Sequence, residues 1–163
     1  MAGIYLFHKE EILMMKRIKK DYGGEGQYYS IGGKFEKDEL NKPTECILRE
    51  LEEETGLKEK DIKDLKLKYI VFRNHDGLIT QNHLFFAELK EQKELKKCPE
   101  GFLEWIQSKE IFELPLPASS FACLKHYFKE GKENEGVYIA AATNKDGYGE
   151  YHFTKLSPFD RLH

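Results

Sequence analysis

The segment covering residues 43–56 constrains the fold of this chain more than any other. It begins with proline, which suits the first turn of an α-helix, and closes with glycine, which suits the left-handed residue that ends one. Between them Ile47, Leu48 and Leu51 fall within an arc of about 100° on a helix. The pattern predicts a helix that ends at Thr55 and packs this apolar face against a core.

Three carboxylates lie beside that apolar face. Glu50, Glu53 and Glu54 stand at relative positions 0, 3 and 4, so they share one arc of the helix. Like charges at this spacing destabilise an isolated helix by roughly 0.2–0.5 kcal/mol per pair. A hard divalent cation such as Mg²⁺ prefers such oxygen ligands and would remove the repulsion. Taken alone, the carboxylates are at least as typical of a solvated acidic helix face, so both interpretations stand at this point.

Alternating apolar residues predict strands on both sides of this helix. The predicted strands cover residues 4–7, 12–15, 28–31, 65–73, 78–89, 102–106, 137–142 and 148–154. The other predicted elements are helices over 108–114, capped by Ser108, and over 117–131, a loop over 21–26, and hairpin turns over 74–77 and 144–147. Strands interleaved with helices predict an α+β or α/β fold, with helices packed on the faces of a mixed sheet.

Bulk composition excludes several functional classes. The chain has the size of one ordinary domain at 163 residues, and 40% hydrophobic with 34% charged residues is a soluble globular balance. With a net charge of −3, the chain does not have the excess of basic residues that is typical of nucleic-acid-binding proteins. A small phosphate ligand remains compatible with this charge. Neither a leader peptide nor a membrane-spanning stretch is recognisable. Three widely spaced cysteines favour free thiols over a zinc site, and we expect a cytoplasmic protein.

Residues 33–57 resemble the Nudix box of a hydrolase family, whose usual form is G-x5-E-x7-R-E-U-x-E-E-x-G-U with U apolar. Gly33 precedes Glu39 by the usual spacing, and the run from Arg49 to Leu57, RELEEETGL, matches every fixed position of the second half. Nine residues instead of seven separate Glu39 from Arg49, so the turn before the helix carries a two-residue insertion. The resemblance implies a Nudix-type α/β/α sandwich and a single hydrolase domain over residues 1–163.

The same resemblance implies a magnesium site on the helix, with Mn²⁺ as an alternative ion. Glu50, Glu53 and Glu54 would ligate the metal together with the backbone carbonyl of Gly33. Arg49 would orient the glutamates through ion pairs, including one with Glu53 four residues on. The implied reaction is attack of water on phosphorus in a pyrophosphate linkage.

Two carboxylates compete for the role of general base in that reaction. Glu53 is preferred because it belongs to the box. Glu100 follows because related enzymes often take a further ligand or base from the loop that it occupies. An ordinary loop carboxylate explains Glu100 equally well. Glu104, next to Trp105 in a predicted strand, is assigned a structural role.

Four residues are predicted to contact substrate by the same resemblance. Lys16 follows the first hairpin, where relatives place a basic residue against phosphate, although a solvated strand end explains it too. Tyr28 and Tyr29 precede the Gly-Gly turn, and strand alternation leaves one of them for stacking on a base and the other for the core. Ser119 falls where enzymes acting on oxidised purines bring polar residues onto the base.

The stretch from Glu100 to Trp105, EGFLEW, resembles the MutT-like branch of the family, which removes oxidised nucleotides. The leading expectation is therefore cleavage of a nucleoside triphosphate such as 8-oxo-dGTP to the monophosphate and pyrophosphate. A diphosphate-linked derivative (ADP-ribose, a nucleotide sugar or a dinucleoside polyphosphate) is the alternative substrate, and a nucleotide sensor without turnover is the alternative class. The family also makes a homodimer an option. Residues 136–163 are expected to complete the sheet or line the pocket.

Overall fold

The computed structural model describes residues 1–18, 24–145 and 148–157. The first half of the loop predicted over 21–26, the second half of the turn predicted over 144–147 and the last six residues lie outside the described residues. Within these ranges the strands are β1 (Ala2–His8), β2 (Glu11–Arg17), β3 (Tyr28–Tyr29), β4 (Ile31–Gly33), β5 (Ile62–His75), β6 (Leu78–Leu89), β7 (Gly101–Gln107), β8 (Tyr138–Lys145) and β9 (Tyr148–Lys155). The helices are α1 (Pro43–Thr55) and α2 (Ala118–His126), with 3₁₀ turns at Glu59–Asp61 and Ile111–Glu113 and a π-helical turn at Tyr127–Gly131.

The strands form one mixed sheet in the order β3-β2-β1-β6-β5-β8-β9, with β4 paired to β1 and β7 paired to β2. β1 runs parallel to β6, and β5 runs parallel to β8. The hairpin of β5 and β6 turns at Asp76 and Gly77, which both have positive φ, 50° and 88°. The predicted mixed sheet and this hairpin are confirmed.

The two helices cover opposite faces of the sheet. Ile4 and Leu6 of β1 belong to the core cluster that contains α1, whereas Tyr5 between them belongs to the cluster that contains α2. Successive side chains of a strand point to opposite faces, so α1 and α2 lie on either side of the sheet. The predicted α/β/α layering is confirmed.

Helix α1 begins and ends at the predicted residues. Ile47 and Leu51 are fully buried and Leu48 is half-buried, so the predicted apolar face is the one that packs on the sheet. Gly56 has a φ of 78°, and its N–H donates to the Glu52 carbonyl at 2.9 Å. This left-handed glycine ends the helix as expected.

Two local predictions differ from the structure. The helix predicted over 108–114 is reduced to the 3₁₀ turn at Ile111–Glu113, because β7 continues to Gln107 and is followed by a turn in which the Glu110 N–H donates to the Gln107 carbonyl at 2.9 Å. The strand predicted over 28–31 is interrupted at Ser30. The interruption arises because β3 pairs with β2 while β4 pairs with β1.

The C-terminal segment extends the sheet. β8 pairs with β5 from Tyr69↔Tyr138 to Phe72↔Ala141, and β9 pairs with β8 along its length. Tyr138 is buried in the core on the α2 side. Completion of the sheet, one of the two roles expected for this segment, is confirmed.

The sequence-based expectation of free thiols is also confirmed. Cys46, Cys98 and Cys123 form no disulfide, and two of the three are buried. Among the described residues no helix combines the length and the apolar character needed to cross a bilayer.

Candidate functional site

Helix α1 holds its three glutamates in three different environments. Glu54 is only 7% exposed, the side chain of Glu50 is 12% exposed, and the side chain of Glu53 is 58% exposed. The two inner carboxylates face the end of β4, and Glu53 lies on the solvent side of the same helix face. The predicted cluster therefore has a buried part and an exposed part.

The Gly32-Gly33 pair at the end of β4 meets the inner carboxylates without a side chain in between. The Gly32 N–H donates to Oε2 of Glu54 at 2.9 Å. A Cβ added at Gly33 would lie 2.5 Å from the carboxylate carbon of Glu50, well inside van der Waals contact. Gly32 has a φ of 144° and packs against the Ala2 carbonyl, so a side chain is excluded there as well. The close approach of backbone and carboxylates requires both glycines.

Arg49 connects four groups around the site. Its Nη1 donates to Glu50 at 2.9 Å and to Glu53 at 3.0 Å. Its Nε and Nη2 donate to the two oxygens of Glu39 at 2.7 and 2.9 Å, and Nη2 also donates to the Lys34 carbonyl at 3.1 Å. Hydrogen bonds to Glu39 and then to Glu50 raise the pKa of Arg49 above its usual value. The expected pair with Glu53 is confirmed, and two further carboxylates share the same guanidinium.

The two-residue insertion leaves Glu39 beside Arg49. The Glu39 N–H donates to the Glu36 carbonyl at 3.1 Å and the Lys42 N–H donates to the Glu39 carbonyl at 2.7 Å, which folds the extra residues into turns before α1. The Glu39 carboxylate, 6% exposed, also accepts a hydrogen bond from the Glu36 N–H at 2.9 Å. The Arg49 hydrogen bonds outweigh burial and lower the pKa of Glu39 to about 2. Glu39 therefore stays an ionised partner of Arg49 despite the longer loop.

Burial makes the inner carboxylates costly to ionise. Desolvation raises the pKa of Glu54 to about 7 against the hydrogen bond from Gly32, and the charges of Glu50, Glu100 and Glu53 raise it further. Desolvation likewise raises the pKa of Glu50, although Arg49 opposes the shift. Negative charge is concentrated where the protein supplies little compensation, which favours a bound cation.

The glutamates do not yet converge on one point. In the part of the chain that the structure describes, no three His, Cys, Asp or Glu side chains are arranged closely enough to hold a metal ion. Arg49 engages carboxylate oxygens of Glu50 and Glu53 in this conformation. Glu53 is more than half exposed, so a change of rotamer is enough to redirect it.

Glu100 lies immediately before β7, near the buried end of the glutamate cluster. Its carbonyl accepts a hydrogen bond from the Ile18 N–H at 3.3 Å, which fixes the start of β7 beside the end of β2. Its carboxylate adds to burial in raising the pKa of both Glu54 and Cys98. The structure therefore brings Glu100 close to the predicted metal ligands.

Lys16 and Tyr28 lie together on the α2 side of the sheet, away from Tyr29. They are cross-strand neighbours, and the Lys16 ammonium lies 5.5 Å from the centre of the Tyr28 ring. Tyr28 is 7% exposed in the core on the α2 side, and its hydroxyl donates to Glu104 at 3.0 Å. Tyr29 is half-buried, and its hydroxyl donates to Gln27 at 2.8 Å. Tyr28 is thus the core residue of the pair.

Ser119 is placed at the sheet rather than in solvent. It belongs to the first turn of α2 and lies beside Tyr151 of β9. Burial raises the pKa of Tyr151, and the Ser119 hydroxyl opposes that shift. The structure therefore places the predicted base-contacting serine on α2, beside Tyr151 of β9.

A group of buried polar atoms on the α2 side was missed by the sequence analysis. Within the described residues, the Tyr5 hydroxyl, Arg73 Nε, Thr80 Oγ1 and Asn82 Oδ1 have no hydrogen-bond partner. These four residues, called the polar patch below, share one face because Val71 pairs with Asn82 and Arg73 pairs with Thr80 across β5 and β6. The available signal was the polar residues Arg73, Thr80 and Asn82 near the β5–β6 turn, on the face that carries Val71 and Leu84 further along the same strands, but the register that joins them was not predictable.

A cavity of about 670 Å³ lies along α2, apart from the glutamate cluster. Phe121, Lys125 and Phe153 contribute to its lining, whereas Glu50, Glu53 and Glu54 do not. The candidate site is therefore defined by its side chains and not by the volume of this cavity.

Solved structures share this fold and its layering. The MutT protein from Bacillus halodurans is 24% identical, and the match covers 93% of this chain and 95% of that one with a TM-score of 0.67. An Ap4A hydrolase from C. elegans, in a binary complex, is 13% identical over 78% of this chain and 93% of its own, with a TM-score of 0.65. The NUDIX domain of Shewanella oneidensis NrtR, complexed with ADP-ribose, is 13% identical over 78% of this chain and 84% of its own, with a TM-score of 0.62.

The sequence itself matches a family model. The model of the NUDIX domain aligns with residues 1–127, which include β1 to β7, α1 and α2. The matched range contains the glycine pair, Arg49 and the three glutamates of α1. The predicted Nudix-type sandwich is thus confirmed, and the chain belongs to the NUDIX family as a Nudix hydrolase.

Proposed function

We propose that this protein uses Mg²⁺ to hydrolyse a diphosphate linkage in a nucleotide. The observation that carries the proposal is the arrangement around Arg49. One guanidinium holds Glu50 and Glu53, while the neighbouring Glu54 is buried against the Gly32 N–H. A merely solvated acidic face would not bury a carboxylate with a single donor, because that cost is not recovered without a further partner.

The residues present fit a hard divalent cation. The proposed ligands are the carboxylates of Glu50, Glu53 and Glu54 and the carbonyl of Gly33, all oxygen donors of the kind that Mg²⁺ prefers. The missing side chain at Gly33 leaves the Glu50 carboxylate against the backbone. Bound Mg²⁺ would supply positive charge to the diphosphate and activate the attacking water; Mn²⁺ is the alternative ion.

The remaining roles in the proposed reaction belong to three kinds of side chain: a general base, a positioning residue and a phosphate contact. The exposed Glu53 is proposed to accept the proton of the attacking water, and Glu100 is the competing candidate because its charge acts on Glu54. Arg49 acts as a positioning residue. Its bidentate hydrogen bonds to Glu39 hold the guanidinium in place, and its Nη1 orients Glu50 and Glu53. Lys16 is proposed to contact a phosphate group.

The nucleoside is proposed to bind against the polar patch on the α2 side. Gly33, Ala2 and His83 are cross-strand neighbours, so Asn82 lies about two strand spacings, roughly 10 Å, from the metal-binding glycine. That separation is suited to a nucleotide whose phosphates lie at α1. Unpaired buried polar atoms supply the donors and acceptors that a base edge requires. Ser119 is proposed as a further contact on this side. Of the two tyrosines, the half-buried Tyr29 remains the candidate for stacking on the base, because Tyr28 lies in the core.

A nucleoside triphosphate is our leading substrate class, with 8-oxo-dGTP as the first candidate. The likeness to a MutT protein over nearly the whole chain supports this choice. The likenesses to an Ap4A hydrolase and to an ADP-ribose complex support the alternative, a diphosphate-linked derivative. Products separate the two classes, because only a triphosphate gives a nucleoside monophosphate together with free pyrophosphate.

A turnover panel with Mg²⁺ tests the proposal. It follows pyrophosphate and phosphate release from 8-oxo-dGTP, the common nucleoside triphosphates, ADP-ribose, nucleotide sugars and dinucleoside polyphosphates. We expect Glu53→Gln to lower turnover of the best substrate by about a hundredfold or more. The matched control is Glu52→Gln on the same helix, because Glu52 is exposed and pairs with Lys58 at the end of the helix.

Glu100→Gln decides which carboxylate is the base. If Glu100→Gln abolishes turnover while Glu53→Gln retains it, Glu100 replaces Glu53 in the mechanism. A panel without turnover in Mg²⁺ or Mn²⁺, combined with a nucleotide that raises the melting temperature, would replace hydrolysis by a sensor function.

A further inference from the structure

A second, basic pocket opens at the other end of the sheet from Gly32-Gly33. It has a volume of about 230 Å³ and is called the lysine pocket below. Its lining consists of Phe7, Lys9, Asp64, Lys66, Lys68, Phe86, Ala87, Glu88, Tyr127 and Lys132. The four lysines come from the β1–β2 turn, from β5 and from the residue after the π-helical turn. Distant segments therefore bring cations to one point in a chain whose net charge is −3.

Lys68 gives the pocket a buried positive charge. It is only 3% exposed, and it lies at an irregularity of β5 between Leu67 and Tyr69. Its ammonium donates to the carbonyl of Asn134, one acceptor for a group with three N–H donors. Burial lowers the pKa of Lys68, and the neighbouring Lys66 lowers it further, against the charge of Glu135. A bound anion would compensate this charge.

The other charges leave the pocket positive. Lys66 is paired with Glu135 at 2.9 Å, and Glu88 is paired with Lys63 at 2.9 Å. Lys9 and Lys132 have no ion pair within the described ranges, and both are exposed at the mouth of the pocket. Four lysines face two carboxylates, so the lining has a surplus of positive charge.

The backbone at the pocket is strained at two positions. Lys9 and Asp64 have φ values of 55° and 54°, in the left-handed region that residues other than glycine seldom adopt. Such conformations cluster at ligand sites, where they hold side chains in place. Lys9 takes this conformation in the two-residue turn between β1 and β2, and Asp64 takes it where the pairing of β5 with β6 shifts register.

We propose that the lysine pocket is a binding site for a small phosphate-type anion, inorganic phosphate or pyrophosphate. Ammonium groups that approach from several directions suit a tetrahedral anion with oxygens on every side, and lysine binds phosphate as a point charge. The volume of about 230 Å³ lies below the roughly 300–1,000 Å³ of sites for drug-sized ligands, which suits a small anion better than a whole nucleotide. The wall of Phe86 and Tyr127, stacked at 4.0 Å, shields the anion from water on one side.

The test measures binding of inorganic pyrophosphate and of inorganic phosphate to the full chain in the presence of EDTA. Without a divalent cation the carboxylates of α1 repel both probes, so the result does not depend on the proposed hydrolysis. Backbone amide resonances locate the site, and we expect shifts at Ala87, Glu88 and Lys132. The probes also raise the melting temperature, because they bind only the folded chain.

Lys9→Gln combined with Lys132→Gln removes two exposed charges without disturbing the core. We expect at least about tenfold weaker binding of pyrophosphate by this double variant. Lys125→Gln is the control, because Lys125 is an exposed lysine that lines the separate cavity along α2. Lys68→Met adds a test of the buried charge. Absence of binding, shifts confined to residues around Gly33, or equal affinities of the double variant and the control would each overturn the proposal.

Discussion

At the residue scale, α1 shows how three identical side chains acquire different properties. Glu54 is buried with one backbone donor, Glu50 lies against a glycine, and Glu53 remains in solvent within hydrogen-bond reach of Arg49. Their chemical difference comes from neighbours and burial rather than from residue type. The inner pair lie against the backbone of β4, and the outer one is exposed to solvent beside Arg49.

Gly33→Ala separates activity from stability. The added Cβ meets the far end of the flexible Glu50 side chain, which can move away, so the fold should survive with a small loss of stability. The displaced carboxylate should lower turnover by about a hundredfold, the order expected for a misplacement of about 1 Å. Turnover and urea unfolding are measured on the same preparation. Gly149→Ala is the control because a Cβ there meets nothing within 4 Å, and equal activity of both variants would contradict the prediction.

Glu54→Gln should stabilise the metal-free protein. The buried Glu54 carboxylate accepts a hydrogen bond from Gly32, and its ionised form carries a desolvation cost. Because the amide of Gln is uncharged, we expect the free energy of unfolding in EDTA at alkaline pH to rise by about 1–3 kcal/mol. Saturating Mg²⁺ should raise the melting temperature of the natural chain and leave that of the variant unchanged. Calorimetry with and without EDTA measures both effects. The exposed Glu52→Gln should change neither, and a Glu54→Gln variant that still responds to Mg²⁺ would remove Glu54 from the metal site.

At the element scale, the loop before α1 tolerates an insertion because its anchor is a side chain. The loop lies between β4 and α1, and Arg49 reaches Glu39 across ten residues with two short hydrogen bonds. The turns that begin at Glu36 and Glu39 absorb the added length. The position of Glu39 is therefore fixed by its charge partner and not by the spacing of the motif.

Glu39→Gln should destabilise the protein only where Glu39 is ionised. The pKa of Glu39 in the folded chain, about 2, lies below the ordinary value of 4.5, so ionisation favours folding above about pH 4.5 and this advantage is lost as pH falls toward 2. We expect a loss of about 1.5–3 kcal/mol near neutral pH, the range for hydrogen bonds to charged groups. Urea unfolding at neutral and at acidic pH should show the gap between variant and natural chain closing. The exposed Glu36→Gln serves as control; a gap that stays constant would refute the assignment.

Local sequence patterns predicted the individual helix of the site correctly, but they did not predict which distant residues come together around it. Pro43, Gly56 and the spacing of the glutamates are encoded within one helix, so the sequence predicts α1 and its acidic face correctly. Arg73 and Asn82 belong to long strands, and only the register of β5 against β6 brings them together. Ser108 was misjudged for the same reason, because the pairing of Gln107 with Glu11 of a distant strand extends β7 to the residue before it. Contacts between distant segments have no local signature in a single sequence.

At the scale of the whole molecule, β8 and β9 extend the sheet beyond the range matched by the family model. Tyr69 of β5 packs between α2 and this added hairpin, with ring contacts to His126, Tyr138 and Phe153. The Tyr69 hydroxyl also lies 2.8 Å from Nδ1 of His126, within hydrogen-bond distance. The hairpin therefore shares its core with the part of the chain that matches the family model, and we propose that both unfold as one domain.

Phe153→Ala tests that proposal. Phe153 stacks on His126 at 4.2 Å and meets Tyr69 at 5.7 Å, so its removal should cost about 2 kcal/mol, less than a fully buried phenylalanine. Trp105, the one tryptophan of the chain, packs on the opposite, α1-side core and reports unfolding there by its fluorescence. If the chain is one cooperative unit, the urea midpoint from Trp105 fluorescence should fall together with that from circular dichroism.

Thr154→Ala, an exposed neighbour on the other face, should leave both midpoints nearly unchanged. A variant in which the Trp105 midpoint stays constant while the circular dichroism signal is lost earlier would show that the hairpin unfolds separately, as an appendage to the sheet.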